Sequence, residues 1–318
     1  MPISPSGPSL AEAGESQVIE EIMGAAPSQV NGDDAAVLVS AQPNSRVVVS
    51  TDMLVEGRHF RLDWSTPREV GRKAILQNFA DIEAMGARPI SALLALSAPP
   101  ETPLALVREL AAGIEEEVSR FSAELVGGDL ASGPGLVLAV TAVGSLGGDR
   151  RPLTLDAARP GQRVVAAGAI GDSAAGLALL ERHGREVPEE FVAFRDAHTH
   201  PHLPPGRGMI ARATGASAAT DNSDGLVADL ATLARRSGVS IDLDPRAIAP
   251  GADMRRVGEH LGVDPWRWVL GGGEDHTILA TTSGDVPSGF RCIGTVQRGS
   301  GVTVGGQPPA YRGGWLSF

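Results

Sequence analysis

The sequence predicts an α/β (α+β) protein of two domains, on three observations. Short apolar runs rich in β-branched residues alternate with segments that carry helix start and stop signals. That alternation occurs twice, over stretches of similar size. Between the two, Gly147 to Gly161 is rich in Gly, Arg, Asp and Pro, a composition suited to a domain junction. The expected domains are residues 1–148 and 149–318. With 42% hydrophobic and 20% charged residues, the chain can bury a sizeable core.

Glu15 to Met23 reads as a short helix after a mobile start. Ala35 to Val39 and Arg46 to Ser50 read as paired strands, with turn residues between them. Thr66-Pro67-Arg68-Glu69 then supplies an N-cap, a proline at the first helical position and a glutamate three residues after the cap; Gly86 is the stop. Ile90 to Ser97 is the next apolar run, Thr102-Pro103 opens a helix to about Arg120, and Ala123 to Val126 and Leu136 to Val143 read as strands. In the second half the expected order is a strand at Arg163 to Ala167, a glycine-rich turn, and a helix at Ser173 to Arg182. A strand at Ala218 to Thr220, a helix at Leu226 to Arg236, and strands near Val239, Ile278 and Ile293 follow. Two such domains facing a shared cleft are a usual setting for a ligand.

Composition removes several classes of function. A net charge of −11 lacks the concentrated basic surface that nucleic-acid phosphates require. The single lysine, Lys73, sits in Gly-Arg-Lys-Ala-Ile, and no Gly-x-x-x-x-Gly-Lys-Ser/Thr stretch exists, so a Walker-type ATP site is excluded. No run approaches the roughly 20 apolar residues of a membrane span, and Met1 to Ser16 does not have the pattern of a signal peptide. The expected location is the cytoplasm, with no membrane partner. Cys292 rules out an internal disulfide and is expected as a buried thiol between Phe290 and Ile293.

The informative feature is a set of acidic residues expected at strand ends, each beside glycine or a small hydroxyl residue. Four clusters carry it: Gly32-Asp33-Asp34-Ala35, Ser50-Thr51-Asp52, Gly127-Gly128-Asp129 and Asp221-Asn222-Ser223-Asp224-Gly225. A fifth carboxylate, Asp81, shares a helix face with Gln77 and Asn78. One such aspartate would read as a turn or cap. Together, in a strongly acidic chain with one lysine, they suit several magnesium ions that neutralise a phosphorylated ligand. His198, His200 and His202 are read as an exposed irregular stretch rather than a metal site, and His183, His260 and His276 as isolated.

The ordered set of motifs resembles the thiamine-monophosphate kinase family. It comprises Gly32 to Leu38, Ser50 to Phe60, Lys73-Ala74 with Asn78 to Ala87, Gly127-Gly128-Asp129, Gly171 to Leu177, Asp221 to Leu226 and Gly272-Gly273-Glu274-Asp275. The resemblance implies the two-domain fold of aminoimidazole ribonucleotide synthetase, with a homodimer built through the N-terminal domain. It implies that Asp34, Ser50, Thr51, Asp52, Asp81, Asp129, Asp221 and Asp224 hold magnesium, with Asp52, Asp81 and Asp129 acting in catalysis through the metal. Gly128, Asp129 and Ser223 would lie at ATP, and His59, Glu274 and Trp315 at thiamine monophosphate. The chain departs from the pattern at Leu155, where the family often has an arginine; Arg150 and Arg151 lie a few residues earlier.

The reaction this implies is direct transfer of the ATP γ-phosphoryl group to thiamine monophosphate, giving thiamine diphosphate. The alternatives are another ATP-dependent synthetase of the same superfamily, or a non-catalytic protein that holds a thiamine phosphate or nucleotide. A selenophosphate synthetase would carry a reactive N-terminal cysteine or selenocysteine and a lysine, and a hydrogenase-maturation relative a C-terminal cysteine. Neither feature is in this sequence.

Overall fold

The structure is a computed structural model in which residues 7–27 and 44–314 are described. The expected strand at Ala35 to Val39, together with Asp34 and Trp315, lies outside the described residues. The chain divides into two compact units. One comprises Met1–Ile82 with Arg88–Gly148, and the other Glu83–Ala87 with Asp149–Phe318.

In the first unit, α1 (Leu10–Ala25) begins five residues before the expected helix. The reason is a capping box: Ser9 Oγ accepts from Glu12 N, and the Glu12 carboxylate accepts from Ser9 N at 2.9 Å. The same device starts α2 (Pro67–Ala84), where Glu69 Oε2 accepts from Thr66 N at 2.6 Å. Strands β1 (Arg46–Val55), β2 (Arg88–Ala98), β3 (Glu124–Ser132) and β4 (Val137–Leu146) form one sheet in the order β1-β4-β2-β3. β2 and β3 run parallel, joined by α3 (Leu104–Arg120), and β4 runs antiparallel to both β1 and β2.

β1 is longer than its apolar run because all ten of its residues pair with β4, from Arg46↔Leu146 to Val55↔Val137. β3 likewise continues through Gly127-Gly128-Asp129 to Ser132. Asp52 and Asp129 therefore lie inside strands, not at the strand ends expected from the turn-forming residues around them. Cross-strand pairing outweighs local turn preference at both places.

The faces of this sheet differ. Leu54, Leu138, Val140, Ala142 and Leu94 are buried on the side that meets α2. On the opposite side Val47, Val49 and Met53 of β1 are 68%, 65% and 52% exposed.

The second unit holds a mixed sheet in the order β10-β7-β9-β5-β8-β6. Its strands are β5 (Arg163–Ala167), β6 (Ala216–Asp221), β7 (Ser240–Leu243), β8 (Ile278–Thr282), β9 (Arg291–Gln297) and β10 (Gly301–Val304). Only the β10/β7 pair is parallel. Every residue of the interior strand β8 is buried, which explains its unbroken Ile-Leu-Ala-Thr-Thr run. The helices are α4 (Asp172–His183), α5 (Val192–Thr199), α6 (Arg207–Ala213), α7 (Leu226–Ser237), α8 (Ala252–Leu261) and α9 (Trp266–Gly271). Of these, α5, α6, α8 and α9 are not among the expected elements; each is ten residues or shorter, too short for a periodic pattern to mark it as a helix.

Two side-chain expectations are corrected here. Cys292 is exposed on β9 while Ile293 is buried, at a point where the pairing with β5 shifts register between Gly294 and Cys292. His183 and His260 are not isolated: α4 and α8 bring their Nε2 atoms to 2.9 Å and stack the rings. Among the described residues no helix is long and apolar enough to cross a membrane.

Candidate active site

Among the described residues, Asp52 and Asp81 meet in the first unit and Asp221 and Asp224 in the second. In the first unit, strand alternation sends Ser50 and Asp52 to the α2 side of β1 and Thr51 to the other. Ser50 Oγ donates to Asp81 Oδ2 at 2.5 Å. Asp52 N donates to Asn78 Oδ1 at 2.9 Å, while Asn78 Nδ2 donates to Ala74 O at 2.9 Å. Asn78 and Asp81 are three residues apart on one face of α2, so a single helix face fixes both strand positions. Asn78 is fully buried, and its amide sets the local position of the Asp52 backbone. Thr51 Oγ1 instead donates to Val140 O at 3.0 Å and lies 3.2 Å from Thr141 Oγ1.

Asp129 stands apart from this set. The pairing Met53↔Ala139, Ala139↔Ala95, Ala95↔Asp129 places it on the exposed face, whereas Asp52↔Val140, Val140↔Leu94, Leu94↔Gly128 places Asp52 on the α2 face. β1 and β3 are also three strand spacings apart, about 14 Å measured along the sheet. Gly128 has a structural reason to be glycine, because a Cβ there would collide with the Leu94 carbonyl oxygen.

His59 is held from two sides. Val55 N donates to its Nδ1 at 3.0 Å, so the neutral ring carries its proton on Nε2. The buried Lys73 Nζ donates to His59 O at 3.0 Å. The single lysine of the chain thus fixes the backbone of a predicted substrate residue.

In the second unit, β6 ends at Asp221 and the loop Asn222 to Gly225 leads into α7. The chain from Gly272 to Thr277, between α9 and β8, runs beside it. Asn222 N donates to Thr277 O at 2.9 Å, His276 N to Asn222 O at 3.2 Å, and Glu274 N to Ser223 O at 2.8 Å. Glu274 and His276 adopt φ values of 60° and 51°, left-handed conformations that cost energy for residues with a Cβ and that concentrate at functional sites.

His276 is buried, and its Nδ1 lies 3.0 Å from Asp221 Oδ2; tertiary folding, not sequence proximity, supplies that partner. The expected exposed His-Thr-His-Pro-His stretch is also corrected. His198 and Thr199 are buried at the end of α5, and His198 Nδ1 lies 3.1 Å from Ser173 Oγ and 3.5 Å from Glu274 Oε2. His202 is exposed and His200 half-buried.

Two carboxylates of the second set carry no role in the sequence reading: Asp229, which it does not single out, and Asp275, which it names only as part of a motif. Asp229 Oδ2 accepts from Gly225 N at 2.9 Å and Asp224 N at 3.1 Å. Burial, then the neighbouring charge of Asp221 and after it Asp224, push its carboxyl up to about 8 against those donated bonds. Asp275 is buried and accepts from Gly171 N at 2.6 Å and Ser173 N at 2.8 Å; burial nonetheless pushes it up to about 7. The available signal was position: Asp229 lies in the first turn of a helix, and Asp275 follows Glu274 directly. At Leu155, the side chain differs from the family arginine, and the carbonyl accepts from Ser237 Oγ at 2.7 Å.

The chain is similar to known proteins over nearly its whole length. The family model for the AIR synthase related protein N-terminal domain matches residues 32–146. Thiamine-monophosphate kinase of Corynebacterium glutamicum is 58% identical over 316 residues, covering 98% of this chain and 96% of the relative. A solved structure of AaThiL complexed with AMPPCP and TMP superposes with TM-score 0.79 at 32% identity, covering 98% of this chain and 100% of that one. Thiamine-monophosphate kinase from Stenotrophomonas maltophilia K279a gives TM-score 0.80 at 30% identity, covering 92% and 96%. The chain belongs to the thiamine-monophosphate kinase family and has the AIR synthase-related fold.

Proposed function

We propose that this chain phosphorylates thiamine monophosphate with ATP to give thiamine diphosphate, by direct in-line transfer in the presence of magnesium. The observation that carries the reading is the anchoring of Ser50 and Asp52 of β1 to Asp81 and Asn78 of α2. It holds an all-oxygen donor set in one place, inside a chain similar throughout its length to kinases of this name.

The donor chemistry fits magnesium. Ser50, Asp52 and Asp81 offer only oxygen, as do Asp221 and Asp224. Magnesium, when bound, offsets the repulsion between two phosphorylated substrates and the charge of the transferred group. Asp34, Thr51 and Asp129 complete the proposed ligands, Gly128, Asp129 and Ser223 the ATP contacts, and His59, Glu274 and Trp315 the contacts to thiamine monophosphate. Glu274, oriented by its left-handed backbone and by His198, can balance a thiazolium charge or accept from an aminopyrimidine. No general base is assigned, since a phosphate monoester is already ionised at neutral pH.

The reading includes a homodimer formed through the first unit, in the cytoplasm. Its support is that Val47, Val49 and Met53 are exposed together on one face of β1. Asp129 shares that face by register, so dimer formation would cover the proposed nucleotide loop. The test is product formation with purified protein, ATP, magnesium and thiamine monophosphate, with EDTA and Asp52→Asn as controls. Thiamine diphosphate made only with metal and intact Asp52 supports the reading; binding of both substrates without turnover favours the non-catalytic alternative.

A further inference from the structure

At the end of the second unit where β6 begins, a groove of about 690 Å³ is lined by Arg150, Arg151, Arg159 and Arg212, with Thr154 and Ser217 among its other walls. Four guanidinium groups around one depression are unexpected in a chain of net charge −11. Asp156 is the single carboxylate in the lining.

Three of the arginines are tied into the wall through backbone carbonyls. Arg212 Nε donates to Arg151 O at 2.9 Å and its Nη2 to Arg150 O, while Arg150 Nη1 donates back to Arg212 O at 3.2 Å. Arg159 Nη1 donates to Asp156 O at 2.9 Å and Ala158 O at 2.8 Å. Carbonyl oxygens orient a guanidinium without neutralising it. One carboxylate opposes the arginines: Asp156, held below the usual carboxylate range first by its bond from Thr154 and also by the charges of Arg236 and Arg159. A guanidinium also retains further N–H groups in a planar fork that matches phosphate oxygens.

The groove is separate from the acidic loop in the same unit. Ala216 and Ser217 open β6 and Asp221 closes it, which is about 15 Å of extended strand. A lone phosphate would engage one or two of the forks; the size of the groove and its four guanidiniums suit a longer anion. We propose that this groove binds the diphosphate group of an organic ligand through arginine alone, without a metal ion. Two sources share that chemistry, a nucleoside diphosphate and thiamine diphosphate.

The test is calorimetric titration of the full chain with inorganic diphosphate in the presence of EDTA, where bare aspartate clusters repel anions. The expected result is saturable binding that Arg151→Ala and Arg159→Ala each weaken by about tenfold or more, that Arg151→Lys weakens less, and that Arg256→Ala on α8 leaves unchanged. Displacement by ADP identifies a nucleotide as the source, and displacement by thiamine diphosphate identifies the thiamine ester. No saturable binding in EDTA, binding unaltered in both alanine variants, or failure of both esters to displace the probe overturns the proposal. Because the readout is metal-free binding, its failure is distinct from failure of the kinase reading.

Discussion

Ser50 Oγ donates a hydrogen bond to Asp81 Oδ2 at 2.5 Å, joining residues thirty-one positions apart. The bond sets one oxygen of Asp81 and aims the serine from a neighbouring element, which is how a ligand set becomes rigid. Asp81→Asn is expected to lower kcat/KM by about 100-fold or more and to raise the magnesium concentration needed for half-maximal rate. Ser50→Ala should give a smaller loss in the same direction. Magnesium titrations of steady-state rate check both, with circular dichroism to establish that the variants fold; an unchanged magnesium dependence in both would remove the assignment.

Asn78 uses its amide on both sides, accepting from Asp52 N and donating to Ala74 O while fully buried. Asn78→Leu keeps the branched outline of the side chain but leaves the Asp52 N–H and the Ala74 carbonyl without those bonds. The expected cost is about 1–3 kcal/mol of unfolding free energy together with a fall in turnover. Urea unfolding monitored by fluorescence measures the first, and a product assay the second. Stability lost with full activity would show that the backbone of Asp52 need not be held.

Val47, Val49 and Met53 form the exposed apolar edge of the first unit's sheet. Val49→Asp should convert a dimer to a monomer, since a carboxylate buried at an apolar interface costs several kcal/mol. Light scattering after gel filtration reads this directly. A wild-type monomer, or a variant that still dimerises, would show that this face is not the interface.

Asp275 is buried with its carboxyl raised to about 7 from an ordinary value of 3.8. Between these values the folded state binds a proton that the unfolded state has released, so stability falls as pH rises through this window and levels off above it. Wild-type protein should therefore lose stability between pH 5 and pH 8 by more than Asp275→Asn does. Urea midpoints at the two values decide it; equal slopes would mean that Asp275 stays ionised in the fold.

Much of the fold was legible in sequence because local signals agreed with the final arrangement. The strand Arg163–Ala167 is an apolar run bounded by polar and glycine residues, and α2 starts at its capping box and proline and stops just before Gly86. The acidic motifs stood out in the same way, since each is short and most set the acid beside glycine or a small hydroxyl residue. What the sequence by itself determined was therefore the α/β class, most element positions and the chemistry of the donor groups.

Tertiary structure decided which of those groups meet. Whether Asp52 and Asp129 share a face depends on the register of four strands, and that register is set by cross-strand packing, which no single segment encodes. The burial of His198 and His276 and the outward turn of Cys292 depend on neighbours far away in the chain, as does the gathering of four arginines around one groove. A residue's type and its near neighbours fix what it can do; its burial and partners follow only when distant segments pack against it.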